Sequence, residues 1–218
     1  MADFRLRIGF AKTGAAIWLS HLEVVRAMER CMRRSGLPCA VSQGFSPHLK
    51  HSFSTALPVG TGSIGEFMDI ELSQLVPLEQ ALDSLQAAQH DCLPILSAQY
   101  APHDEPSLQV ALNHAVYCVE FDDPEGEAVP ELLKRLASLP EITVIKKGRP
   151  KVYDLSKYLV DAYLDESAST AGLIMSLLSR PEGSLRPEVI LEAVAQPDLP
   201  LRITAITRIA LKHQDLPV

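Results

Sequence analysis

Phe4-Arg5-Leu6-Arg7-Ile8-Gly9-Phe10 alternates strictly, with Phe4, Leu6, Ile8 and Phe10 on one side and Arg5, Arg7 and Gly9 on the other. Successive side chains of a strand point to opposite faces, so the pattern predicts a half-buried strand. Glu66-Phe67-Met68-Asp69-Ile70-Glu71-Leu72 repeats it, turning Met68, Ile70 and Leu72 toward a core. Arg5 and Arg7 would project from an open sheet face, either toward RNA or into cross-strand pairs with Asp69 and Glu71, and the pairing is the favoured reading.

Between these strands, Ser20 and Glu23 have the spacing of a capping box, which starts a helix. At helical periodicity Val24, Val25, Met28, Cys31 and Met32 share one side, and Arg26, Arg30, Arg33 and Arg34 gather on the other. Gly36 and Pro38 stop it. Cys39 to Ser42 is a short second strand that resumes at Ser52 to Ala56; Pro77 opens a helix to Gln89, and Leu93 to Tyr100 is a further strand. The order is strand, helix, strand, strand, helix, strand.

Ala101 to Ser107, with Pro102, Asp104, Glu105 and Pro106, is the best linker. After it the order recurs: a strand through Ala115 to Phe121, a helix from Glu127 to Ser138, a strand from Ile142 to Lys146, a strand from Thr170 to Ser179, a helix from Arg186 to Ala195 and a closing strand from Leu201 to Lys212. The expected fold is therefore α+β, two tandem ferredoxin-like (βαββαβ) domains with antiparallel sheets, at residues 1–103 and 108–218. That architecture hosts many functions and decides none of them.

Composition narrows the class. The 218 residues are 47% hydrophobic and 22% charged, no apolar run approaches the ~20 residues of a membrane helix, and the N-terminus enters a strand with no signal peptide, so a cytoplasmic protein without membrane association is expected. Cys31, Cys39, Cys92 and Cys118 are scattered, with none of the close pairs of a zinc knuckle or redox dithiol and no three-cysteine group for an iron-sulfur cluster. No metal and no cofactor is expected. The net charge is -7, yet residues 1 to 52 carry +5. A basic region on an acidic chain suits an anionic ligand held at one place.

The candidate nucleic-acid-binding set is Lys12, Arg26, Arg30, Arg33, Gly44, Phe45, Ser46, Lys50, Lys147 and Arg149. The three helical arginines, at i, i+4 and i+7, form a rail for phosphates, unless Glu23 and Glu29 neutralise it as an ordinary solvated face. The Gly44 to Lys50 loop offers backbone amides as an anion nest, with donors at Ser46 and Lys50 and a stacking ring at Phe45; a plain turn is the alternative. Lys147 and Arg149 belong to a second basic tip. His21, at the helix start, is a candidate general base in its neutral form, and with His48 a candidate acid and base pair for RNA cleavage; the bland reading is a histidine that fixes the helix start. His48, His51 and His21 make a weak metal set, because i to i+3 histidines suit a helix better than a proline-containing loop.

Leu19-Ser20-His21-Leu22-Glu23, Ser42-Gln43-Gly44-Phe45-Ser46-Pro47-His48, Ala56-Leu57-Pro58-Val59-Gly60 and Gly65-Glu66 resemble the motifs of the radical SAM-linked protein family, a bacterial domain of unknown function fused to or encoded beside radical SAM enzymes. The likeness extends weakly through Lys147-Gly148, Val152 to Leu155 and Gly183 to Pro187. His51 departs from it, standing where the family more often has an apolar residue. The resemblance implies an accessory domain beside a radical SAM enzyme, in company that suggests RNA metabolism, and supplies no catalytic mechanism.

Three functions follow as expectations. The first is an RNA-binding or substrate-presenting accessory protein, not itself an enzyme. The second is a metal-independent endoribonuclease like the tandem ferredoxin-like CRISPR RNA processing enzymes, with His21 or His48 as base. The third is a protein-interaction module that docks the radical SAM partner.

Overall fold

The computed structural model describes residues 4–102, 104–123, 126–146, 148–165, 172–195, 199 and 201–213. The chain is α+β and divides into two compact units, Met1–Leu112 and Asn113–Val218.

The first unit runs β1 (Phe4–Lys12), α1 (His21–Ser35), β2 (His51–Phe53), β3 (Thr61–Leu72), α2 (Leu78–Ala88), β4 (Ile95–Tyr100) and α3 (Leu108–Ala111). Its strands lie in the order β4-β1-β3-β2, all neighbours antiparallel. The alternation of β1 decides which face is core: Leu6 and Ile8 are fully buried and Phe10 nearly so. Val24, Met28, Cys31 and Met32 of α1 and Ala81 and Leu85 of α2 join them in one cluster. Each large apolar side chain so buried contributes about 1.5–3 kcal/mol.

The opposite face of β1 carries the arginines. Arg7 is opposite Asp69 in register, and its guanidinium donates to both carboxylate oxygens, at 2.9 and 3.1 Å, and to Glu105. Arg5 faces Glu71 in register but donates instead to the carbonyls of Glu105, at 3.0 Å, and Pro102. Glu71 pairs with Lys50. The segment read as a linker is thus strapped along β1, and the division between units falls after α3 rather than within residues 103–108. Two further differences concern β2. Cys39 to Ser42 makes only isolated bridges, to Leu72 and Leu49, and the strand itself is His51–Phe53.

The second unit runs β5 (His114–Asp122), α4 (Ala128–Ser138), β6 (Glu141–Lys146), β7 (Arg149–Asp154), β8 (Leu159–Leu164), β9 (Gly172–Leu178), α5 (Pro187–Ala195) and β10 (Arg202–Lys212). Its antiparallel order is β10-β5-β9-β8, with β6 and β7 forming a separate ribbon. Ile142 to Lys146 is a strand, as expected, but the place beside β9 belongs to β8. The ribbon is an insertion between α4 and β8. Residues 170 and 171 of the expected Thr170 to Ser179 strand lie outside the described residues.

Candidate functional site

β1 ends in Lys12, which is 2% exposed. Its ammonium donates to the carbonyls of Ile17, Pro58 and Thr61 at 3.1, 3.2 and 3.2 Å. An ammonium has three protons, and here three backbone carbonyls take them. Lys12 is therefore a clamp that ties the 3₁₀ turn Gly14–Trp18 and the loop before β3 to the end of β1, and it also lines the cleft beside His21. Gly60 completes the clamp, its amide donating to the Ile17 carbonyl at 2.8 Å. Its φ of +85° is left-handed, and a Cβ there would stand 3.4 Å from Cζ3 of Trp18. The indole is thus backed against Gly60 while remaining 67% exposed.

The next segment builds α1. Glu23 accepts from the Ser20 amide at 2.8 Å and from the Ser20 hydroxyl at 2.6 Å, fixing the helix start. His21 is the first helical residue. Its ring meets Phe53 edge-on at 5.6 Å between centroids, and Phe10 and His51 contact the same phenyl ring at 6.2 and 5.4 Å. A cleft of about 310 Å³, counting its open side, lies among Phe10, His21, Phe53, Leu57 and Glu66. Burial holds the His21 imidazole below its ordinary pKa, with Glu66 opposing and Lys12 adding to the effect. The ring is neutral near pH 7 and offers a lone pair to a donor.

His21 and His48 line different depressions. His48 shares its own with Arg5, Lys50, His51 and Asp69. Its Nδ1 stands 3.1 Å from the Ser42 hydroxyl and 3.1 Å from the Ser46 carbonyl, and the amides of Ser42 and His48 are bonded within the loop. Part of the expected nest is therefore spent on closing the loop itself. Gly44, Phe45 and Ser46 at its tip are exposed, Phe45 completely. Lys50 is half-buried, 3.5 Å from Glu71. No group of three or more His, Cys, Asp or Glu able to hold a metal exists among the described residues.

Arg26, Arg30 and Arg33 are exposed along α1. Of the two acids at helical spacing, Glu23 bonds Ser20 while its charge still interacts with Arg26, and Glu29 Oε1 stands 3.0 Å from His51 Nε2. In the second unit, Arg149 is exposed beside the ribbon turn, and Lys147 lies outside the described residues. Sequence reasoning singled out His21 and Lys12 but missed Trp18, Phe53 and Glu66. A lone tryptophan beside a helix cap was the available signal.

Three of the four N-terminal motifs quoted above meet at the cleft: His21, Leu57 and Glu66 come one from each. A family described as "Uncharacterized protein conserved in bacteria (DUF2344)" matches residues 5–187. The chain belongs to the DUF2344 family. The DUF2344 match takes in the whole clamp, cleft and arginine rail, and extends to the first residue of α5. Curated proteins give no match. Among solved structures, the chain is similar to an unknown protein from Galdieria sulphuraria, at 14% identity over 97% of this chain and 99% of that one, with a TM-score of 0.29. That similarity is too slight to bear on function.

Proposed function

We propose that this DUF2344 protein is an RNA-binding accessory module, built of two ferredoxin-like units, that works in the cytoplasm beside a radical SAM enzyme. The observation that carries the RNA part is the arginine rail of α1, three exposed guanidinium groups along one side of the helix, beside Glu23 and Glu29 whose carboxylates bond Ser20 and His51. Exposed guanidinium groups release counterions and make forked hydrogen bonds when they meet phosphates. The βαββαβ order with a fourth-first-third-second strand order in each unit supports the ferredoxin-like reading. The motif resemblance supports the radical SAM partner.

Cleavage is the weaker reading, because His21 and His48 line different depressions and neither is supplied with a second acid-base group of the other's. Crosslinking in cells, followed by sequencing of the bound RNA and identification of copurified proteins, tests the proposal. Enriched RNA together with a radical SAM enzyme is the expected outcome. Recovery of neither would refute it, and an RNase-resistant, salt-resistant partner without RNA would favour a docking module instead.

A further inference from the structure

Trp18 is the only tryptophan in the chain. Leaving an indole 67% exposed forgoes burial that a folded chain would ordinarily take, and Leu22, four residues on, and Val59, next to Gly60 in sequence, are exposed as well, at 66% and 58%. Trp18 is also held firmly. Its preceding residue, Ile17, gives its carbonyl to both Lys12 and the Gly60 amide, and the ring rests against Gly60. An aromatic ring backed on one side and open on the other is a stacking surface.

Charge indicates what it stacks against. Leu22, Arg26, Arg30 and Arg33 fall within a sector of about 80° on α1, so the rail starts one turn beyond Leu22 on one line of the helix. Arg26 stands roughly 7.5 Å along the axis from His21, itself three residues after Trp18. An occupant therefore meets apolar surface first and then a run of positive charge. A protein anchor would need only the former, whereas a polynucleotide supplies both a base and successive phosphates.

We propose that the Trp18 indole is the stacking platform for one unpaired base of a single-stranded RNA whose phosphates follow Arg26, Arg30 and Arg33. This rests on the RNA-binding reading and adds to it the strandedness and the contact residue. A duplex keeps its bases paired and would not supply one.

Because the chain has one tryptophan, its fluorescence reports this residue alone. A labelled single-stranded RNA 12-mer and the same sequence as a duplex are titrated into the full chain, reading oligonucleotide anisotropy and tryptophan emission in parallel. Quenching that saturates with the anisotropy change for the single strand, its absence with the duplex, and a loss of about tenfold in affinity for Trp18→Ala but not for Trp18→Tyr are expected. Circular dichroism of both variants checks folding. Binding of the single strand with unchanged emission, and equal affinity of Trp18→Ala, would overturn the platform while leaving RNA binding intact. No anisotropy change for any strand would overturn both. Emission altered by a copurified protein and by no RNA would assign the patch to protein docking and overturn the platform.

Discussion

His51 Nε2 stands 3.0 Å from Glu29 Oε1, linking the strand β2 to the polar side of α1. Glu29 lies three residues after Arg26 and four before Arg33, the spacing at which a helical carboxylate neutralises arginine. Its bond to His51 holds the carboxylate toward β2. Replacing His51 by leucine returns the carboxylate to the rail, and single-stranded RNA affinity, measured by anisotropy at low salt, should fall about twofold. An unchanged affinity would separate Glu29 from the rail.

Burial keeps His21 below its ordinary pKa, and burial together with Lys212 does the same for His114. The unfolded chain therefore takes up protons first as pH falls through about 6.5. Stability from these groups is fully present above that pH and is lost as pH drops toward the depressed folded-state values. Thermal unfolding followed across this window should show a declining midpoint, and His21→Leu should make the decline shallower. An identical slope in the variant would mean that His21 is freely protonated in the fold.

Arg7 is 6% exposed and Asp69 5%. Removing the guanidinium in Arg7→Ala leaves a buried carboxylate without its main partner and should cost about 3–5 kcal/mol by urea denaturation. The double variant Arg7→Met, Asp69→Leu should recover part of that loss, since it removes both buried charges and leaves only the more exposed Glu105 without its partner. A double variant as unstable as the single one would contradict this account of the strand pair.

Gly60 is left-handed and touches Trp18. Gly60→Ala should cost roughly 1–2 kcal/mol from backbone conformation alone, and should shift tryptophan emission because the ring loses its seat. Emission identical to the parent chain would show that the ring does not rest there.

The sequence is most informative where one period is strong. β1, with Phe4, Leu6, Ile8 and Phe10 alternating, and α1, with Val24, Met28 and Cys31 at helical spacing, are legible because burial of one face dictates the pattern. β8 is not: it lies at the sheet edge, is mostly exposed, and carries a register shift between Leu159 and Asp161. Ile142 to Lys146 has the stronger strand composition, and it went to the ribbon instead. At the site, His21 and the rail could be found from local spacing. The burial of Lys12 could not, since its three acceptors come from two segments that only the folded chain brings to it. The same holds for Glu29, whose partner His51 is 22 residues away.

The most direct measurement is the salt dependence of single-stranded RNA binding by the parent chain and by the Arg26→Glu, Arg30→Glu variant. Three phosphate contacts predict a slope of log affinity against log salt of about -2, falling to about -0.7 when two are removed. Binding whose slope is the same in both proteins would contradict the rail as the RNA contact.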